Sequence, residues 1–372
     1  MTRPLNYRVL FLLVVLLVAG MVQILREHRP SWLRPGLRLN AYVSAADGSV
    51  AVVDLVRLSV IARVAIGAGL SGMREHPTRP EIWGVSTTGG YVWILEARSN
   101  QVVARIPVGS APYALDFSPD GRRAYTTASG ADSLVVIDVI TRSIIATAHT
   151  GSGPVLARST SDGKHILVVN RRDATLRIYG ADSLASQAVV PVVEAPEDVA
   201  ILPDNSVAFV ISRQKRFVSV VDLKGGVLLA SLELSGTPSS MILKPDGGEL
   251  YVISPESHGL QSVNTWTHEV RDSVVLGSSP TQGVLSSDAN LLYVSDKAAG
   301  RVTPVDMSNR RVMRPILVGQ APGRCRYDPG EKLLLVVNED SGDLAVIRVG
   351  TNSLLTMIPV GDRPRDLAVK LF

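Results

Sequence analysis

Proline recurs every 42 residues through most of this chain. It stands at Pro112, Pro154, Pro196, Pro238, Pro280, Pro322 and Pro364, with no insertion or deletion between them. Self-similarity at such a period marks a repeat architecture, in which each unit buries its apolar face only against its neighbours. Functional residues must then be sought among positions that break the period.

One unit, Ser110–Gly151, holds four short β-rich runs: Tyr113–Phe117, Ala124–Ala128, Leu134–Asp138 and Ser143–Ala148. Each is five or six residues long and rich in β-branched or aromatic side chains, and no run has helical spacing. Between the first two lies Ser118-Pro119-Asp120-Gly121, where Pro presets φ and Gly accepts a positive φ. The turn recurs at Ser161-Asp162-Gly163, Pro203-Asp204-Asn205 and Pro245-Asp246-Gly247. The second run recurs as Tyr251–Ser254 and Tyr293–Asp296, and the third ends at Asp54, Asp138, Asp222 and Asp306. An acid repeated in this way before a turn serves the turn by accepting backbone N–H bonds, since a catalytic carboxylate is needed once.

Four antiparallel strands per 42 residues describe the blade of a β-propeller. The full pattern, P-x-x-(apolar)-S-P-D-G, then Y-V-(S/T)-(N/D), V-V-D and (T/P)-V-G, resembles the YVTN-repeat propellers of bacteria and archaea, within a lactonase-like propeller superfamily. The resemblance covers nearly all of the chain after about residue 38. It implies a cell-surface or periplasmic setting, and it speaks for fold more than activity, because the shared residues are turn formers and core. Seven full units run from Ala68 to Gly361. Arg38–Gly67 before them holds three strands, and Asp362–Phe372 after them holds one, Arg365–Val369. The expectation is therefore an all-β, eight-bladed propeller filling residues 38–372, with the last strand closing the ring against the first three.

Ahead of the propeller, Val9–Leu25 is an uncharged apolar run at the short end of a membrane span, preceded by Arg3 and Arg8. It reads as an uncleaved N-terminal signal anchor or transmembrane helix over residues 1–25, and a cleaved signal peptide is the alternative. Residues 26–37 read as an Arg/Pro-rich stalk. The basic residues after the run do not favour export, whereas the short N-terminal tail and the resemblance do. The expected location is a single pass through the cytoplasmic membrane, with the propeller on the periplasmic or extracellular side.

The net charge of +4 and pI near 9.2 reflect the arginine-rich ends, and aromatics make up only 5% of the chain, so no nucleic-acid surface is expected. Cys325, the single cysteine, is placed in an inner strand as a buried thiol. Trp83, Trp93 and Trp266 are placed in the core. The six histidines show no metal-ligand spacing, and there is no nucleophile elbow, P-loop or dinucleotide fingerprint. No metal, no cofactor and no catalytic residue is expected, and the chain reads as a monomer.

What breaks the period is charge near the axis. Four residues after each proline-equivalent position the column reads Arg74, Asp116, Arg158, Ala200, Ile242, Val284, Arg326 and Ala368. Arginines around a narrow axis attract an anion, because guanidinium offers fixed forked donors. The same charges also suit an ion-pair network that only ties inner strands together. Nearer one rim stand Tyr113, Glu197, Asp198, Arg324, Arg365 and Asp366, and two basic loops open on that face, one with Arg171 and Arg172 and one with Arg213, Lys215 and Arg216. Those loops form a solvated face or dock an envelope protein or polysaccharide. The favoured function is a non-catalytic binding or scaffold module of the cell envelope. The alternatives are a propeller-type lactonase or hydrolase with a channel metal, and an assembly factor for an anionic cofactor.

Overall fold

The computed structural model describes residues 36–372. The expected N-terminal membrane helix and most of the stalk lie outside the described residues, and among those described no helix is long and apolar enough to cross a membrane.

The described residues form eight antiparallel sheets of consecutive strands, arranged as a propeller. Blade 1 takes Leu39–Ser44, Ser49–Asp54 and Ser59–Ala65 from the N-terminal side and Asp366–Leu371 from the C-terminal end. The inner strands of blades 2 to 8 begin at Leu70, Pro112, Pro154, Pro196, Ser240, Pro280 and Pro322. Closure runs through six paired residues, from Leu39 opposite Leu371 to Ser44 opposite Asp366. Eight blades and closure by the last strand follow the sequence expectation.

Within a blade, the two middle strands are buried except at their ends, as in Ser133–Asp138, and the outer strand alternates between exposed and covered positions, as in Ser59–Ala65. Sheet faces pack on neighbouring blades, so the core is a ring of inter-blade clusters such as Trp83, Ile94, Leu115 and Ile137. Turn chemistry acts as the sequence implies. Asp54 accepts from the backbone N–H groups of Val56 and Arg57, and Asp138 and Asp222 do the same in their turns. Gly121 ends its turn at φ +68°, and Ala289 holds the equivalent place at φ +60° without glycine's freedom.

Two departures stand out. Trp266 is not core: it is 69% exposed, in the turn after the strand Gly259–Asn264. The outer strand of blade 7 is split into Arg311–Val312 and Ile316–Leu317, with Pro315 between them unable to donate a ladder hydrogen bond.

Candidate functional site

Most inner strands carry a bulge just after the proline-equivalent position, at Ser71/Arg74, Pro112/Leu115, Pro154/Leu156, Pro196/Asp198, Pro280/Gln282 and Pro322/Cys325. A bulge bends the strand and re-aims its side chains. Repeated around the ring, it opens the start of the inner strands into a cavity of about 610 Å³ lined by residues of every blade. One end of the axis is therefore a binding-sized cup.

Its wall is mixed. Leu70, Met73, Leu115, Val155, Leu156 and Met241 supply apolar surface, and Tyr113, 46% exposed, stands at the mouth. The charged lining is five arginines (Arg74, Arg158, Arg213, Arg324 and Arg365) against three carboxylates (Glu197, Asp198 and Asp366). Each carboxylate is engaged. Arg158 Nη2 lies 3.2 Å from Asp198 Oδ1, and Arg324 Nε lies 3.0 Å from Asp366 Oδ1. Glu197 takes two arginines, Arg213 Nε at 3.3 Å and Arg171 Nη2 at 3.1 Å. Asp366 is also fixed by the backbone N–H of Met73 at 2.8 Å, so it joins blades 8, 1 and 2.

Arg74 and Arg365 remain. Neither guanidinium makes an ion pair or hydrogen bond among the described residues. Arg365 is exposed at the rim of the cup, whereas Arg74 sits deeper and half-buried. Burial first, and then the Arg158 charge, hold the Arg74 guanidinium below its ordinary value, an effect that nearby Asp116 partly offsets. A desolvated cation without a close counter-ion is costly, and an incoming anion relieves that cost.

Of the charged column only Arg74 and Arg158 line the cup, although Asp116 and Arg326 also lie close enough to act on the Arg74 charge. Asp116 and Arg326 lie outside the cavity lining, and Arg326 Nη1 holds both oxygens of Glu75 at 2.9 and 3.0 Å, bridging from blade 8 to blade 2. Its apolar members Ala200, Ile242, Val284 and Ala368 pack in inter-blade clusters. The expected trio Arg74, Arg158 and Arg326 is thus reduced to Arg74, because the other two have carboxylates of their own. Arg365, placed with the rim group, is its companion. The basic loops are also compensated: besides the pairs on Glu197, Lys215 meets Glu194 at 2.8 Å and Arg216 meets Glu233 at 3.0 Å. Arg172 is exposed and makes no ion pair among the described residues. Cys325 is buried, its thiol pushed up to about 12 by burial. Among the described residues no group of three His, Cys, Asp or Glu side chains could hold a metal ion.

Fold and cavity together define an eight-bladed propeller with an arginine-rich cup at one end of its axis. Residues 85–290, more than half of the chain, match the YNCE-like β-propeller family, and the chain belongs to that family. No curated protein sequence matches it. Among solved structures, it is similar to dihydro-heme d1 dehydrogenase NirN in complex with DHE, at 18% identity and a TM-score of 0.78 over 91% of this chain and 76% of that one. Hydrazine synthase from Kuenenia stuttgartiensis matches at 18% identity and a TM-score of 0.62, over 76% of this chain and 96% of the other. A functionally unknown protein from Desulfotomaculum acetoxidans matches at 15% identity and a TM-score of 0.61, over 77% and 97%. At these identities the likeness is one of fold.

Proposed function

We propose that this chain is a membrane-anchored, extracytoplasmic binding module of the cell envelope, and that its axial cup takes an organic anion without catalysing a reaction. One observation carries the reading: the cup is lined by five arginines and three carboxylates, the carboxylates are all paired, and among the described residues Arg74 and Arg365 have no ion-pair partner. The volume of about 610 Å³ and the apolar wall suit a carbon-bodied anion better than inorganic phosphate. An assembly factor that holds an anionic cofactor is a special case of this reading. A metal-dependent hydrolase fits less well, since Glu197, Asp198 and Asp366 would each have to give up an arginine before meeting a cation.

The test is a thermal-shift screen of the full chain against mono- and dicarboxylates, phosphate esters and carboxylated tetrapyrroles. The tetrapyrroles are chosen because the NirN structure, named for a dihydro-heme, covers most of the chain. A ligand at a hundred times its Kd stabilises by about 2.7 kcal/mol, which is roughly 4 °C in Tm for a domain of this length. The expected result is a shift of that order from one ligand class, lost in an Arg74→Ala/Arg365→Ala double variant. No shift with any anion, or an equal shift in the double variant, refutes the proposal.

A further inference from the structure

The cup opens at one end of the axis, and the chain enters the propeller at the other. The inner strand of blade 1 starts at Asp366 in the cup wall and runs to Leu371. Beyond it Phe372 and Arg38 exchange backbone hydrogen bonds of 2.8 and 3.0 Å. Six strand residues span roughly 20 Å, so Arg38 marks the face opposite the cup. The chain therefore joins the propeller on that face, after the 37 residues that include the apolar run Val9–Leu25.

The same face carries several large exposed apolar side chains. Trp266 and Ile140 occupy equivalent turn positions three blades apart and are 69% and 71% exposed. Their turns lie beside the turns that join first and second strands on the same face: the Thr265 N–H donates to Gly248 O and the Val139 N–H to Arg122 O. The outer strands leave this face with exposed apolar residues as well, Ile144 and Ile145 in blade 3 and Leu228 and Leu229 in blade 5. Val275 and Leu317, 73% and 72% exposed, end their outer strands on the cup side, so exposed apolar residues are not confined to this face; its distinguishing side chain is Trp266, and an exposed Trp suits a water–hydrocarbon boundary.

We propose that this face rests on a lipid bilayer, with Trp266 and Ile140 at the headgroup level and the cup opening away from the membrane. The point of chain entry selects the occupant. An apolar run of 17 residues tethered through a short arginine-containing segment (Arg26, Arg29, Arg34) brings this face, and not the cup, to the membrane surface. The inference rests on the membrane-anchored part of the proposed function, and it goes beyond the ligand reading without depending on it.

The test uses the full chain in vesicles of phosphatidylcholine and phosphatidylglycerol carrying an acceptor-labelled lipid. Single cysteines replace Lys224, on the proposed membrane face, and Gln214, on the cup rim; the native Cys325 is buried. Energy transfer to the lipid acceptor is expected to be at least twofold higher from Lys224→Cys than from Gln214→Cys. The difference is expected to shrink in a Trp266→Ser/Ile140→Ser background. Equal or reversed transfer overturns the proposal, as does failure to associate with vesicles. A difference unaffected by the double substitution removes Trp266 and Ile140 from the contact. Transfer between labelled Lys224→Cys copies in the absence of lipid would mean that a second copy covers this face, and overturns it too.

Discussion

Replacing Asp366 with Asn should weaken the propeller and sharpen its appetite for anions at once. Asp366 is almost wholly buried and ties three blades together, through Arg324 Nε at 3.0 Å and the Met73 N–H at 2.8 Å. Asn keeps one acceptor oxygen, so one of these donors loses its partner and meets an amide N–H instead. A hydrogen bond to a charged group contributes about 1.5–3 kcal/mol, and a stranded buried donor adds to the loss. The expected cost is about 3 kcal/mol, or roughly 4 °C in Tm for a domain of this length. Asp198→Asn is the control. Its ion pair with Arg158 is about one-third exposed on both sides and 3.2 Å long, which sets its loss at about 1 kcal/mol or less. Differential scanning calorimetry of both variants reads the contrast. Because Asp366→Asn also strips Arg324 of its counter-ion, any anion that stabilises the wild type should bind this variant about tenfold tighter, the equivalent of one charge-assisted hydrogen bond. Equal Tm losses in the two variants, or weaker anion binding in Asp366→Asn, would refute the reasoning.

Other outcomes follow from the same structure. His76 is buried, its Nε2 on Gly121 O and its Nδ1 accepting from the Arg79 N–H, and burial holds its imidazole below the ordinary 6.5. A depressed group of this kind contributes stability that is complete above about pH 6.5 and is lost as pH falls below it; urea midpoints should drop from pH 7 to 5, with a shallower drop in His76→Gln. Ala289 holds a left-handed φ of +60°, so Ala289→Gly should raise stability by about 0.5–1 kcal/mol in urea unfolding. Leu367→Ala, at a fully buried position of the closing strand, should cost about 2–5 kcal/mol in the same assay. Gly84→Ala should be destabilised by about 1–3 kcal/mol, because a Cβ there would overlap the buried Trp93 ring.

The fold was legible because its determinants repeat. The proline ladder, the turns such as Ser118–Gly121 and the capping acids such as Asp138 each report the same blade several times over. The site was half legible for the same reason. The 42-residue offset places Arg74, Asp116, Arg158 and Arg326 at one height, but height does not say which way a side chain points. The bulges decide that, and nothing in a single strand's sequence announces a bulge. Partners were hidden too. Glu75 sits one residue past the column and answers Arg326 from two blades away, a pairing that only ring closure creates. Trp266 misled because it follows a strand-like run, although the Thr-Trp-Thr-His segment occupies the turn that Val139–Arg142 fills three blades earlier.

The claim that two uncommitted arginines make the cup an anion site is tested most directly by diffraction from crystals grown in bromide. The account predicts an anomalous peak inside the cup within reach of Arg74 or Arg365, absent from the Arg74→Ala/Arg365→Ala variant. Bromide bound only at Arg158 or Arg326, or an empty cup in the wild type, would contradict it.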